Sequence, residues 1–323
     1  MIKRTLGKTG LEISALGFGA WGIGGSMWIG AEDDESLAAL RRAIELGVNF
    51  IDTAAGYGGG HSEELVGRAV REAAETVHVA TKIPPKNMRW PAPAGVRADD
   101  AFPADWVIAQ TEGSLARLGL ETIDVQQFHV WSDEWVGEGS WLDAVERLKR
   151  DGKIRAFGVS INDHQPANAV RLVESGHVDT VQVIYNVFDQ SPEDELFPAV
   201  EAASVGVIAR VPFDEGSLTG RIRPETEFPA GDFRNGYFGG DRKREVWERA
   251  QAVASDAQVP VDELAEVALR FCVTHPAVST AIPGMRTVRN VERNAAAVGR
   301  GPLSDEQIAA LRPHRWVRSF YGS

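Results

Sequence analysis

Short apolar runs alternate with amphipathic stretches along this chain. The apolar runs lie near Ala15–Gly17, Asn49–Ile51, Val77–Thr81, Thr122–Phe128, Ile154–Val159, Thr180–Val183, Val207–Ala209 and Ser279–Ile282. Between them apolar residues recur at helical spacing, as at Leu37, Leu40 and Ile44, then at Leu196, Ala199, Val200 and Ala203. That spacing gives each helix one apolar stripe, and its regular alternation with strands predicts a parallel sheet covered by helices. Eight such units predict an α/β fold, a (β/α)8 TIM barrel, with residues 1–323 forming one domain. The turn residues of Thr5-Leu-Gly-Lys-Thr-Gly10 predict an N-terminal β-hairpin ahead of it. Two connections, Ile83 to Pro103 and Phe213 to about Gly240, are longer than a minimal barrel needs. Both follow strands, so they are expected to hang over the mouth as lids.

Composition narrows the function classes. A net charge of −12 argues against a nucleic-acid surface, which needs a basic stripe. No apolar run approaches the roughly 18 residues of a membrane span, and Met-Ile-Lys-Arg-Thr lacks a signal core, so a soluble cytoplasmic protein is expected. The lone Cys272 falls in a helical pattern and is expected to be an inert core residue. No His/Cys/Asp cluster has metal-ligand spacing, so no metal is expected.

The chemistry gathers at strand ends. Asp52 and Tyr57 share the loop after Asn49-Phe-Ile, Lys82 closes the third strand, and His129 closes the fourth. A buried Asp needs a cationic partner, and Lys82 is the candidate. An ammonium beside a phenol favours the phenolate, which makes Tyr57 a general acid toward a carbonyl oxygen and a base toward an alcohol in reverse. His129 is then a second donor to that oxygen. Taken singly, each residue has a structural reading: Tyr57 as packing, Asp52 and Lys82 as a structural pair, His129 as a core histidine. Their joint placement at the ends of barrel strands favours a catalytic one. No nucleophile with a paired base is present, so electrons are expected to come from a bound cofactor.

Gly-Val-Asn-Phe-Ile-Asp-Thr-Ala-Ala-Gly-Tyr57, His61-Ser-Glu-Glu, Ala80-Thr-Lys82, Val125-Gln-Gln-Phe-His129, Gly152-Lys-Ile-Arg-Ala-Phe-Gly-Val-Ser160 and Val181-Gln-Val-Ile-Tyr-Asn186 together resemble the aldo-keto reductase family, from about Lys3 to Asn294. The resemblance implies that Asp52, Tyr57, Lys82 and His129 form a tetrad around the carbon that accepts hydride. It also implies a nicotinamide cofactor across the barrel mouth, usually NADPH, with NADH as the alternative, and a small carbonyl or alcohol substrate. Ala20, Trp21 and Asp52 then border the nicotinamide, and Ser160 and Gln182, with Asn162, hold its carboxamide. Arg210, Val211, Pro212, Phe213, Gly216, Ser217, Leu218 and Arg221 form the pyrophosphate loop, where glycine at 216 lets backbone amides approach the phosphates. Gly284, Arg286, Asn290 and Asn294 take the adenosine end, with Arg286 on a 2′-phosphate. Trp21, Tyr57, His129 and Trp131 are the implied substrate contacts.

Three positions depart from that pattern: Ile161 after Ser160, Arg210 in place of a stacking aromatic, and Arg293 in place of an acidic residue. They leave the choice between NADPH and NADH open. Trp28, Trp90 and Trp135 join Trp21 and Trp131 as candidate walls. The C-terminal Arg312 to Tyr321 either folds back over the mouth or packs outside the barrel. The rival from another class is a nicotinamide-binding regulatory subunit with weak turnover, against which His129 speaks. A Schiff-base aldolase or isomerase would need Lys82 free of Asp52. The oligomeric state is open.

Overall fold

In the computed structural model, which describes residues 1–321, strand order is the sequence order. A hairpin, β1 (Lys3–Thr5) and β2 (Glu12–Ser14), pairs antiparallel with Lys3 opposite Ser14 and Thr5 opposite Glu12. It precedes eight parallel strands: β3 (Phe18–Gly19), β4 (Phe50–Asp52), β5 (His78–Ile83), β6 (Ile123–Phe128), β7 (Ile154–Ser160), β8 (Thr180–Ile184), β9 (Gly206–Arg210) and β10 (Val278–Ala281). The sheet closes into the expected barrel where Leu16 bridges Ala281 and Gly19 bridges Gly284.

That closure explains the one displaced strand. The apolar run at Ala15–Gly17 does face the barrel, but its backbone bonds go to Ala281: the Gly17 amide donates to it at 2.8 Å and Ala15 accepts from it at 3.0 Å. Only Phe18 and Gly19 pair with β4, opposite Ile51 and Asp52. The seam strand thus divides its pairing between two neighbours, which shortens the regular ladder on either side.

Alternation along the strands builds the interior in two layers. Phe50, Ala80, Val125, Ala156 and Ile208 pack with Ile282 and, from the hairpin, with Leu6 and Ile13, forming an apolar plug at the N-terminal end. Two residues further along the same strands, on the same face, come Asp52, Lys82, Gln127, Gly158 and Arg210. The polar groups therefore emerge at the C-terminal ends by the period of the strand alone, above a floor that excludes water.

The outer ring is formed by helices Asp33–Glu45, His61–Glu72, Ala104–Leu118, Trp141–Arg150, Val170–Ser175, Leu196–Ala203, Leu264–Thr274 and Val288–Gly299. Leu37, Leu40 and Ile44 are buried on the first of them, as their spacing predicted. Cys272 is buried on the seventh, with its thiol pushed up by burial, which suits an inert core residue. Among the described residues no helix is long and apolar enough to cross a membrane, and no three His, Cys, Asp or Glu are grouped to hold a metal.

Helix His61–Glu72, which follows the Tyr57 loop, packs unusually closely on the end of helix Ala104–Leu118. A Cβ at Gly67 would stand 2.2 Å from the Leu118 carbonyl oxygen, a backbone atom that cannot swing away. Gly67→Ala is therefore expected to lower the melting temperature by several degrees, although alanine gains about 1 kcal/mol in helix propensity. A thermal melt of the variant at or above the parent value would refute the close contact.

Candidate active site

Four of the predicted residues converge at the C-terminal ends of β4, β5 and β6. Lys82 Nζ pairs with Asp52 and donates to the Thr53 carbonyl at 2.9 Å and to the Tyr57 hydroxyl at 3.2 Å. Asp52 and Lys82 are 2% and 1% exposed, so the pair is shut off from water. The other Asp52 oxygen accepts from Gln182 Nε2 at 2.8 Å and from Gln127 Nε2 at 3.1 Å. These two amides, which also bond each other at 3.2 Å, supply the hydrogen bonds that make a buried ion pair tolerable.

Gln182 was expected on a nicotinamide carboxamide, but its amide nitrogen is committed to Asp52. Gln127, which sequence reading missed, shares that task. The only signal for it was its place two residues past Val125 on the same strand face.

Tyr57 stands at the start of a turn and is half-buried. Burial pushes its phenol up, Lys82 pulls it back and Asp52 pushes it up again, with a net rise above the ordinary value. This corrects the expectation of a lowered phenol, which weighed the ammonium but not desolvation. Burial pulls the Lys82 ammonium down, yet Asp52 and Tyr57 outweigh it and the net shift is upward. His129, 5.7 Å from the Tyr57 ring between centroids, is driven well below its usual range by burial, Lys82 and Arg210. At neutral pH the site thus holds a protonated phenol, a charged lysine and a neutral imidazole. The Nδ1 atom of that imidazole is buried without a hydrogen-bond partner among the described residues.

The walls are aromatic. Trp21 lies 6.2 Å from Tyr57, 5.8 Å from Trp28 and 5.0 Å from Phe233, between ring centroids. Phe233 comes from the long loop after β9, and its amide donates to the Met27 carbonyl at 3.1 Å, so that loop is tied across the mouth. Trp90, from the long loop after β5, meets His129 edge-on at 5.9 Å and is 45% exposed. Trp131 is different. It is fully buried, donates to Asp133 at 3.0 Å and packs on Trp135 and Trp141, so it offers no surface to a ligand and belongs to the core. Position in sequence just past His129 suggested a wall, but the chain turns outward there.

The remaining predicted contacts surround this centre. Ala20 is buried beside Asp52, its amide donating to the Asp52 carbonyl at 2.9 Å. Ser160 is buried at the end of β7. Asn162 is engaged with the β5 loop, accepting from the Ala92 amide at 3.3 Å and donating to Gln165 at 3.2 Å. Arg210 ends β9, paired with Asp163 and donating to the Ile161 carbonyl at 3.1 Å, with its Nε buried and unpartnered. After it Val211 and Gly216 take positive φ, 56° and 109°, with Pro212 and Phe213 between. The Gly216 and Leu218 amides both donate to the Phe213 carbonyl at 3.0 Å, while Ser217 Oγ is buried with no partner. Arg221 is exposed. Gly284 bridges Gly19, the Asn290 backbone amide donates to the side chain of Thr287, which caps its helix, and Asn294 is buried. Arg286 lies against Gly22, donates to the Ile29 carbonyl at 3.2 Å and sits 5.6 Å from the Trp28 ring.

A strand-end phenol, ammonium, carboxylate and imidazole beneath an aromatic mouth accord with the comparison against known families. Residues 15–315 match the model of the Aldo/keto reductase family. This chain belongs to that family. Its members are oxidoreductases that use nicotinamide cofactors on small carbonyl compounds. Relatives include the Bacillus subtilis oxidoreductase YqkF, 30% identical across 97% of this chain and 96% of its own length. The NADH-specific methylglyoxal reductase of Escherichia coli is 27% identical across 97% and 98%. Among solved structures, an aldo-keto reductase from Bacillus halodurans in holo form superposes with a TM-score of 0.76 at 26% identity, covering 100% of this chain and 99% of that one. The glycerol dehydrogenase of Gluconobacter oxydans does so with 0.74 at 30% identity, covering 94% and 92%.

Proposed function

We propose that this chain is an NADPH-dependent carbonyl reductase in which Tyr57 delivers the proton to the carbonyl oxygen. The observation that carries this reading is the Tyr57 hydroxyl, 3.2 Å from a Lys82 ammonium that is itself locked on Asp52. A bound nicotinamide supplies the hydride, and the rest falls to the protein. The raised phenol keeps Tyr57 protonated at neutral pH. As the substrate oxygen gains charge the phenol proton passes to it, and the Lys82 ammonium meets the phenolate left behind. Neutral His129 orients the same oxygen with a ring N–H. The reverse path, from alcohol to carbonyl, uses the same groups.

The residues present suit such a ligand. His129 Nδ1, Arg210 Nε and Ser217 Oγ are buried polar atoms without partners among the described residues, from the mouth of β6 round to the loop after β9. Buried polar groups are rarely left unpaired without a reason. Trp21 beside Tyr57, with Trp28 and Phe233 against it, and Trp90 beside His129 give the site apolar, flat walls, so the favoured substrates are aldehydes or ketones with apolar or aromatic substituents. Consumption of NADPH against a panel of aromatic and aliphatic aldehydes tests the proposal. Stoichiometric NADPH binding with no turnover on any of them would replace it with the regulatory-subunit reading.

Arg286 supports NADPH over NADH. Burial pulls its guanidinium down and Arg234, itself paired with Asp232, adds to that, while Asp232 and Glu35 push it back up; its side chain donates to the Ile29 carbonyl and has no carboxylate within ion-pair distance among the described residues, which suits an anionic ligand. Arg286→Ala is expected to weaken NADPH binding about tenfold or more and to leave NADH binding nearly unchanged, as one charge-assisted contact is lost. Equal affinity of the parent protein for the two cofactors, in a fluorescence titration, would remove this role.

A further inference from the structure

The loop assigned above to the cofactor's phosphates contains a contradiction. Asp214 and Glu215, both buried, stand immediately before Gly216 and Ser217. Two carboxylates in the first turn of a phosphate cradle would repel the ligand. Their backbone is also unfavourable: Asp214 and Glu215 take positive φ of 50° and 54°, a region that side chains other than glycine avoid. Something outside the loop must hold and neutralise them.

The C-terminal segment holds both side chains and neutralises Asp214. Arg318 forks onto Asp214, with Nη1 donating at 3.0 Å to Oδ1 and Nη2 to Oδ2. The Tyr321 hydroxyl donates to Glu215. The segment is itself anchored: the Trp316 amide donates to the Phe188 carbonyl at 2.7 Å, and the Arg318 guanidinium lies 4.2 Å from the Trp316 ring and 4.6 Å from that of Phe320. Tyr321 packs on Tyr237 at 4.9 Å between ring centroids, inside the same long loop that carries Phe233. Sequence reading left open whether this segment covers the mouth or packs outside. It folds back onto the loop after β9.

We propose that Arg318 and Tyr321 are positioning residues for the cofactor, and that the C-terminal segment is a clasp in which Arg318 cancels the charge of Asp214 and the Tyr321 hydroxyl holds the Glu215 carboxyl in place, so the loop can accept phosphates. The inference rests on the reading of this loop as a nucleotide site, but not on which carbonyl is reduced. It also gives cofactor affinity a pH dependence. Glu215 faces Tyr321 from the tail, Asp214 on its own loop, Arg210 from β9, Asp163 from the segment after β7 and Tyr237 from the long loop, while Arg318 occupies Asp214. Burial outweighs the Tyr321 hydrogen bond and raises the Glu215 carboxyl to about 7. Below that pH it is neutral and the clasp leaves no net negative charge beside the phosphates. Above it the carboxylate forms, so affinity falls as pH rises through neutrality.

Titrations with NADPH and with 2′-phospho-ADP-ribose, which carries the phosphates but no reactive ring, test this. Arg318→Ala is expected to raise both dissociation constants about tenfold, with the KM for NADPH rising alike, the scale of one uncompensated charge near a phosphate. Asp214→Asn combined with Arg318→Ala removes the repulsion as well as the clasp, and is expected to recover most of that affinity. Arg318→Lys keeps the charge and should bind close to the parent, which covers the case in which the alanine variant folds poorly. Glu215→Gln is expected to flatten the pH dependence of the parent between about pH 6 and 8.5. Parental affinity in Arg318→Ala, or a loss that the double variant keeps in full, overturns the proposal, because the arginine would then be absent from the site's electrostatics or a mere anchor. A parent protein that binds both ligands and reduces no carbonyl sinks only the reductase reading. One that binds neither sinks both.

Discussion

Tyr57→Phe is expected to reduce carbonyl turnover by about 100- to 10,000-fold, the range that a positioned general acid contributes. The ring, the aromatic contact with Trp21 and the neighbouring loop all survive this change, since only the hydroxyl is removed. NADPH affinity is therefore expected to stay within about twofold, because the proton is needed when the substrate oxygen gains charge and not when the cofactor binds. The two measurements together separate a catalytic phenol from a packing one. A variant that binds NADPH normally and reduces an aromatic aldehyde at the parent rate shows that another group protonates the oxygen.

The same comparison bears on pH. Tyr57 is raised by burial despite Lys82, and His129 is lowered well below its usual range. Neither group changes charge near neutrality in the free protein, so the chemical step is expected to vary little between about pH 6 and 8. Any dependence there in KM for NADPH would originate elsewhere, and Glu215 is the group placed to cause it.

Strand alternation made much of this site legible in advance. Asp52 demands a cation by being charged and buried, and the end of β5 offered Lys82 and the end of β6 offered His129. What the chain does not announce is geometry that carries no charge. Gln127 looks like an ordinary strand residue, and Gln182 like a cofactor contact alone, until their amides are found on Asp52. Trp131 and Trp90 are equally bulky in sequence, yet one fills the core and the other borders the mouth, because burial depends on which way each loop turns. Phe233 and the tail residues Arg318 and Tyr321 are brought to the site from far along the chain by loops with no periodic pattern to follow. The direction of the Tyr57 shift is hidden for a related reason: neighbouring charges can be read from sequence, but desolvation belongs to the folded barrel.

Breaking the pair beneath Tyr57 is expected to have the largest structural effect. Asp52→Asn leaves the Lys82 ammonium 1% exposed with no opposing charge, and removing one partner of a buried pair costs about 3–5 kcal/mol. The new amide nitrogen also faces the Gln127 and Gln182 donors in place of an acceptor, so a hydrogen-bond mismatch adds to the lost charge. For a chain of this size the melting temperature should fall by roughly 5–9 °C. The sign of the pH response identifies the cause. In the parent, Lys82 is raised above its unfolded value of about 10.4, so its contribution is complete below that pH and is lost only as pH climbs through the folded value. In the variant, burial without Asp52 pulls the ammonium below the unfolded value, so the unfolded chain binds more protons across the interval between the two. Stability of Asp52→Asn should therefore increase with pH over the alkaline range below about pH 10, where the parent gains nothing from this group. Denaturant unfolding at pH 7 and pH 9.5 distinguishes the two. If the variant is destabilised equally at both, the lost energy is packing and hydrogen bonding, and Lys82 does not depend on Asp52 for its charge.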